Sequence, residues 1–582
     1  MSFTHDEALS YTIINDNSGW ADTPNNHVLN TQLMKVCSKL FGDSEISLRL
    51  PNVLACMLFL IFSFLIIKNH VFPHLVSPFF IIITCNPYVL EFFSVARGYG
   101  LSIGFVTVSL YYLLKYYSKT QFIRLKKTNE YFLAVFFAAL SLLSNFTAMG
   151  YFIGLCAPIF IVDNHKIKDR FLASKTNIKR VLSRNFMAFM LYSVVFTFSL
   201  MKIFALMGKG ELSTQNFYGD KGFFEDMIVS LVKGSLYGIN YFNGIDYLIS
   251  YTLLFLILSV LVLILRRALK LNFNNSINAF YLVYFTALFL PTLQHYFLGT
   301  PYPNARLAVV YGVLTNFLIL FFSTDLNNKF YHKTISPLVF WSIAVIILAH
   351  FLNSFNITHT FTYSEDRNNR AVFEEIEKEF KTNYRYEPIS VGINWVFEPS
   401  LNYYRVSRGA EWLDCLTRDG LEGKLREFYY CYNWELDKIP KKDGLVKIKE
   451  FKTTQTALYQ RSQFKKRLFT KEFKVPGLEP GNPYKEKVIN LGAIPSNTEI
   501  RLELMPEETV KKETNVHVIL FDESNWQETL LFHEHISGEK RIVLEKKTNK
   551  TYTKALLIYR NWQNKTKAPA VNIKVTALLL SN

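Results

Sequence analysis

Charged side chains are scarce: 19% of the 582 residues are Asp, Glu, Lys or Arg, against 50% apolar and 16% aromatic. A soluble chain so poor in charge cannot cover its surface, so a single soluble domain is excluded. The apolar content likewise excludes a disordered or collagen-like chain. Cysteine is scarce too, with six residues and no CxxC or Cys/His ligand spacing. Neither a zinc site nor a disulfide framework is indicated. Cys415 and Cys431 are expected either as free thiols or, outside the cytoplasm, as a bridge. No internal repeat is evident.

The shortage of charge is uneven. Residues 1–352 hold 27 Lys and Arg against 16 Asp and Glu, whereas residues 353–582 hold 37 against 31, an ordinary soluble density. Apolar runs recur in the first part, at 51–68, 75–93, 99–117, 131–144, 147–163, 186–206, 247–265, 278–298, 307–323 and 335–352. Most approach the roughly 20 residues that cross a bilayer core, so about ten spans are expected. Alternate loops hold 18 of the 27 basic residues of this part and only four of its 16 acids. The positive-inside rule makes those loops cytoplasmic and both chain ends extracytoplasmic. The formal net charge of +17 is then largely a topology signal, and a nucleic-acid partner is not expected. Met1 falls outside with no span before it, and a helix ahead of it is expected.

Ionisable groups cluster where that topology places the outer membrane surface. His5-Asp6-Glu7 and Asn25-Asn26-His27 precede a stripe of Leu29, Leu33, Val36 and Leu40, which suits a helix lying in the interface. Asp43-Ser44-Glu45 and Arg49-Leu50-Pro51 lead into the first span. Glu91 ends the second run, followed by Arg97-Gly98-Tyr99-Gly100. Between two later spans, His295 and Pro301-Tyr302-Pro303 lead to Arg306, where a guanidinium fork suits a lipid-linked phosphate. Each feature alone has a bland explanation: a solvated loop, an interfacial ion pair, a structural turn. Together they put acids for proton removal and arginines for a phosphate on one face, which is what glycosyl transfer from a lipid phosphate needs.

At these residues the chain resembles the GT-C glycosyltransferases, in particular bacterial relatives of the protein O-mannosyltransferases and the lipid A aminoarabinose transferase. Asp6-Glu7 is similar to that family's acidic pair in the first external loop. Gly42-Asp43-Ser44-Glu45-Ile46-Ser47-Leu48-Arg49-Leu50-Pro51 resembles its G-x-S-E-x-x-x-R-L-P approach to the next helix. Glu91 with Ala96-Arg97-Gly98-Tyr99 resembles its second acidic element, and Pro301-Tyr302-Pro303 with Arg306 a late Y-P-x-x-R loop. The likeness covers about residues 1–352. The family has a helix before its acidic pair, and the resemblance leads to the expectation of one ahead of Met1.

The resemblance implies a polyprenyl-phosphate sugar donor, attacked with inversion, and an acceptor that is a lipid, protein or polysaccharide. Asp6 is then the expected general base, with Glu7 orienting it and Glu91 positioning donor or acceptor. Arg49, Arg97 and Arg306 are expected on the donor phosphate, with His27, Tyr99, His295 and Tyr302 lining the substrate. A divalent cation, if one is used, falls to Asp6 and Glu91. The expected setting is a bacterial cytoplasmic membrane with the C-terminal region outside. A transporter or flippase, and a non-catalytic glycan-assembly protein, are the alternatives.

The expected fold is a polytopic α-helical membrane domain (1–352), a small α/β domain (353–464) and a jelly-roll-like β-sandwich (465–582). In the α/β part, 366–381 patterns as a helix, 389–393, 401–406 and 444–451 as strands, and 412–416 as helical. Arg461–Lys474 is expected as a solvated linker. Short strands separated by Pro and Gly turns follow, at 501–504, 515–521, 541–544, 556–559 and 571–578. Trp526, Tyr559 and Trp562 are expected mainly as core or rim aromatics, and less as sugar-stacking groups.

Overall fold

The structure is a computed structural model. It describes residues 1–16, 27–118, 128–158, 186–208, 219, 221–269, 276–330, 335–382, 389–422, 425–440, 442–461, 466–477, 484–496, 498–506, 514–522, 525–536, 542–548, 551–561 and 570–579. The chain divides into two compact units, Met1–Tyr386 with Val396–Cys415, and Glu387–Trp395 with Leu416–Asn582.

The first unit is helical. It begins with α1 (His5–Asp16), α2 (Val28–Phe41) and α3 (Glu45–His70). Ser44 caps α3 by accepting the amide of Ser47 at 3.2 Å, and Glu45 in its first turn suits the positive helix end. The run expected as one span over 75–93 is broken. Helix α4 (Val76–Thr84) stops, and a separate α5 (Pro87–Glu91) starts with Pro87 at its first position and Asn86 capping Tyr88 and Val89. Proline presets the first turn but cannot continue a helix, so Glu91 sits on its own short element.

Helix α6 (Gly98–Ser118) is buried along most of its length and packs on α3 and on α7 (Thr128–Ser144). Contact is backbone to backbone: a Cβ on Gly104 would lie 2.8 Å from the Ala55 carbonyl, and one on Gly98 only 1.8 Å from that of Ser144. Small residues serve helix packing in lipid because dispersion replaces the hydrophobic effect there.

Among the described residues six helices are long and apolar enough to cross a membrane: Glu45–His70, Phe186–Ala205, Ile245–Arg267, Ser276–Leu298, Ala305–Leu326 and Pro337–Ser354. The other expected runs form α6 and shorter apolar helices. Met187, Met190, Val194, Phe198 and Met201 stay exposed on the second of these, as do Leu338, Val345 and Ile346 on the last, a surface suited to acyl chains. The face of α2 packed against protein is Asn30, Thr31 and Met34, while Val36 and Leu40 of the expected stripe are exposed. At one end of the bundle Arg267 pairs with Asp325 at 3.1 Å, and Tyr281 donates to the same carboxylate at 2.9 Å.

The 366–381 helix is present as a 3-10 turn, Ser364–Asn368, continued by Asn369–Thr382. Two neighbouring expectations are corrected. The strand expected at 401–406 is a helix, Glu398–Ser407, because Pro399 presets its first turn and Leu401, Tyr403 and Tyr404 share its buried side. The helix expected at 412–416 is a turn and irregular chain, following Gly409 at φ +58°.

The second unit opens with a sheet ordered β1 (Val391–Ile393), β2 (Phe428–Tyr432), β4 (Thr456–Arg461), β3 (Leu445–Phe451), with β1 and β2 parallel. The expected linker over 461–474 is instead largely strand β5 (Lys466–Val475), paired antiparallel with β12 (Val571–Leu579). Its charges misled the linker assignment: Phe473 and Val475 face the sandwich core while Lys474 alternates outward. The remaining strands are β6 (Tyr484–Ile494), β7 (Thr498–Pro506), β8 (Thr514–Asp522), β9 (Asn525–Ile536), β10 (Ile542–Lys547) and β11 (Tyr552–Asn561). They form two antiparallel sheets, β10-β7-β12-β5 and β6-β11-β8-β9. Eight strands in that order make a jelly roll. Its core holds Leu491, Ile494, Ile500, Leu502, Leu504, Leu520, Ile573 and Val575. Cys415 and Cys431 are both free thiols. The environments of Trp526, Tyr559 and Trp562 lie outside the described residues.

Candidate active site

Asp6, one residue into α1, meets two arginines from distant parts of the chain. Its Oδ2 accepts from Arg306 Nη1 at 2.8 Å and lies 3.5 Å from Arg97 Nη2. Tyr363 completes a closed triangle: its hydroxyl donates to Asp6 Oδ2 and accepts from Arg306 Nη1, both at 2.9 Å. Arg97 is fully buried and also donates to the Asp6 carbonyl and to Ser10 Oγ, both at 3.2 Å. Arg306 keeps about a third of its side chain exposed, at 32%. Burial by itself would raise the Asp6 carboxyl, but Arg306, Arg97 and His5 together hold it well below the usual carboxylate range. Asp6 in this state is a counter-ion and a weak base.

Glu7 points elsewhere. Arg49 grips it with two bonds of 2.7 Å, and the Thr4 amide adds a third at 2.8 Å. The Ala96 amide donates to Oε1 as well. Arg49 spends its other donors on the Met1 and Ser2 carbonyls at 3.2 and 2.8 Å. Glu7 is completely buried, so this fork joins the first residues, the start of α3 and the turn before α6. It does not orient the Asp6 carboxyl.

Glu91 is tied to the segment after the last long helix. Its Oε2 accepts the Phe361 amide at 2.7 Å and its Oε1 the Thr362 hydroxyl. Tyr237 also reaches the Phe361 amide, accepting at 3.2 Å. The two acids thus hold consecutive residues: Glu91 binds 361 and 362, and Asp6 binds 363. Burial pushes Glu91 up to about 7, against hydrogen bonds from Thr362 and Phe361 that favour the charged form. A carboxyl raised on folding binds its proton more tightly in the folded state, so its stabilisation is complete below about pH 4.5 and lost as pH rises to about 7. Glu91→Gln is therefore expected to unfold at higher temperature than wild type at pH 8, by up to ~3 kcal/mol of stability, and to lose that advantage at pH 4.5. Thermal scans in detergent at the two pH values check this.

His27 stands at the N-cap position of α2 and is buried, with Nδ1 at 2.9 Å from the Ser144 carbonyl and its ring edge-on to Tyr99 at 5.2 Å. Burial and the Arg97 charge push His27 well below its ordinary value, so the neutral ring donates through Nδ1. The bare Gly98 makes this fit possible, since a Cβ there would also sit 2.9 Å from His27 Nδ1. His295 and Tyr302 have a different place. They stack at 4.4 Å, His295 bonds the Thr300 carbonyl, and the Tyr302 amide donates to Gly219 at 3.2 Å. These contacts shape the 299–306 loop. Asn304 reaches Asp226 Oδ1, and the Ala305 amide donates to Ser230 Oγ at 3.0 Å. Ala305 is held at φ +48°, a conformation that costs a non-glycine residue about 1–2 kcal/mol, directly before Arg306. Tyr237, beside Glu91, is strained likewise at φ +55°. Strain of this kind gathers where the surroundings over-determine a functional geometry.

Asp6 Oδ2 and both oxygens of Glu91 are taken by guanidinium, amide and hydroxyl donors, a set that does not fit a shared divalent cation. No cluster of three His, Cys, Asp or Glu side chains suited to a metal occurs among the described residues. Sequence reasoning missed Phe361-Thr362-Tyr363, Tyr237 and Asp366. The buried Asp366 accepts the His5 amide at 2.8 Å, so it caps α1 from a distant segment. The only sequence signal for the 361–363 segment was its aromatic and hydroxyl content directly after a span.

No protein-family model and no curated protein matches the chain. Among solved structures it is similar to ArnT from Cupriavidus metallidurans in the apo state, at 10% identity and a TM-score of 0.44, covering 79% of this chain and 94% of that one. The same protein bound to undecaprenyl phosphate gives 9% identity and a TM-score of 0.39, over 78% and 92%. The arabinosyltransferase EmbB from Mycobacterium smegmatis gives 10% identity and a TM-score of 0.31, over 100% of this chain and 63% of that one. These likenesses are distant ones.

Proposed function

We propose that the chain is an integral membrane glycosyltransferase. It moves a sugar from a polyprenyl-phosphate donor to a lipid, protein or polysaccharide acceptor, at the outer face of a bacterial cytoplasmic membrane. The observation that carries this reading is the meeting of Asp6, Arg97 and Arg306, from three distant segments, in one buried cluster of which Arg306 alone keeps about a third of its side chain exposed. The donor phosphate takes Arg306, with Arg97 behind it, as a charge-assisted fork. Removal of Arg306 from Asp6 Oδ2 restores basicity to that carboxylate. An acceptor hydroxyl then attacks the anomeric carbon and gives its proton to Asp6. The bond from that carbon to the phosphate oxygen breaks, and its electron pair leaves on the polyprenyl phosphate beside the guanidinium groups. Glu91 holds the 361–363 segment so that Tyr363 stays on Asp6, and His27 with Tyr99 closes the buried side.

Membranes bearing the protein, supplied with labelled polyprenyl-phosphate sugars, test this. Wild type is expected to transfer label, and Arg306→Ala to raise the donor KM by about 10–100-fold, the worth of a hydrogen bond to a charged group. An unchanged donor KM would remove Arg306 from the phosphate site, and no transfer by wild type from any donor would reject the reading.

A further inference from the structure

Two tryptophans of the second unit stand in solvent without serving its core. Trp434 is 63% and Trp395 49% exposed. Neither is loose. Trp434 stacks on Tyr432 with ring centres 4.3 Å apart and planes 10° from parallel, and the Arg418 guanidinium lies 6.0 Å from the Trp395 ring centre. Their backbones are joined through their neighbours. Asn394 Nδ2 donates to both oxygens of the buried Glu435 at 3.0 Å, so each indole is covalently next to one partner of that pair. The parallel pairing of β1 and β2 accounts for this: both strands run out at the same edge, and residues 394–395 and 433–435 are what follow them. Carboxyl ends of neighbouring parallel strands are a common place for ligands.

We infer that this edge is a saccharide-binding platform for the sugar chain of the acceptor. A pyranose has an apolar face of C–H groups and a rim of hydroxyls. An indole backed by a second ring offers a rigid apolar plane at little entropic cost, and the groups around it supply both donors and acceptors. Those groups are Arg418 beside Trp395 and the exposed Lys438 as donors, and the exposed Asp437 as acceptor, the last two in the 3-10 turn Asn433–Lys438 that carries Trp434. Opposite charges are paired, Lys438 with Glu435 at 3.1 Å and Lys442 with Asp437, which suits a neutral, hydroxyl-rich ligand. A membrane-anchoring belt would instead set its tryptophans beside apolar side chains that enter the acyl region.

The inference rests on the glycosyltransferase reading for its biological sense, but its test needs no donor. Full-length protein in detergent micelles is titrated calorimetrically with cellohexaose, chitohexaose and mannohexaose. Saturable heat with at least one of them is expected, weakened about tenfold or more in Trp434→Ala and in Trp395→Ala, with thermal unfolding unchanged because both side chains are exposed. Asp6→Asn is expected to bind the oligosaccharide like wild type. Absence of saturable binding to all three, or equal binding by both Ala variants, overturns the proposal. So does quenching of the fluorescence of these two indoles in brominated-lipid nanodiscs, read as the difference between wild type and the two Ala variants, which would assign them to the membrane surface. Intact oligosaccharide binding without sugar transfer would sink the enzymatic reading and leave the platform standing.

Discussion

Asp6→Asn is expected to lower sugar transfer by about 10²–10⁴-fold while the donor lipid binds as tightly as before or more tightly. The two effects have opposite signs because, in the proposed mechanism, Asp6 and the donor phosphate compete for one guanidinium. At rest, Arg306 Nη1 is 2.8 Å from Asp6 Oδ2 and bonds Tyr363 as well. A neutral Asn holds Arg306 less firmly, so less is lost when phosphate takes it. The same neutral group cannot accept a proton from the attacking hydroxyl. Some stability goes too, since buried Arg97 loses its counter-ion. Donor binding is read by competition with labelled polyprenyl phosphate, and thermal unfolding in detergent is the separate check on folding. A variant that binds donor normally and transfers at the wild-type rate would remove Asp6 from the chemistry. One that binds donor more weakly while remaining folded would refute the competition.

Arg49→Ala is expected to cost about 3–5 kcal/mol of stability, the largest effect anticipated on folding. Glu7 has no exposed surface, and the fork from Arg49 supplies two of its hydrogen bonds at 2.7 Å. Deleting the guanidinium leaves a charged carboxylate in the interior and releases the Met1 and Ser2 carbonyls. Arg49→Ala with Glu7→Ala should be less harmful than the sum of the single variants, because the orphaned charge goes with its partner. Thermal unfolding of the four proteins in detergent gives the coupling directly. Donor KM separates this arginine from Arg306: in whatever folded fraction of Arg49→Ala remains, KM should stay near wild type. An Arg49 variant of normal stability and raised donor KM would return Arg49 to the phosphate site, as the sequence suggested.

That contrast shows how far the sequence carried the candidate site. Asp6-Glu7 is one dipeptide in the sequence, and nothing in it says that Asp6 meets Arg306 and Arg97 while Glu7 meets Arg49. Successive residues at a helix start point in directions about 100° apart, so adjacent acids face different neighbours. The roles of Arg49, Arg97 and Arg306 were indistinguishable by type for the same reason. Exposure separates them: Arg97 is sealed, Arg49 nearly so, and Arg306 open enough to meet a ligand. Tyr363 and the Glu91 contacts were invisible because they come from a segment some 270 residues or more away in the chain.

Some of the architecture was local and therefore legible. Long apolar runs need a nonpolar surrounding wherever they occur, and period-two strands between Pro and Gly turns mark a β-sandwich, so the helical membrane part and the jelly roll followed from composition and pattern. The charge deficit that excluded a soluble protein was the clearest of these signals. Elements failed where a local pattern was outweighed by one residue or by a distant partner. Pro87 cut an apolar run in two, Pro399 started a helix where tyrosines suggested a strand, and pairing with β12 made a strand of a Lys-rich stretch. What only the tertiary structure decided is which charges are buried together. Pairing in a low-dielectric interior depends on distances of a few ångströms between segments hundreds of residues apart, and no linear spacing encodes those distances.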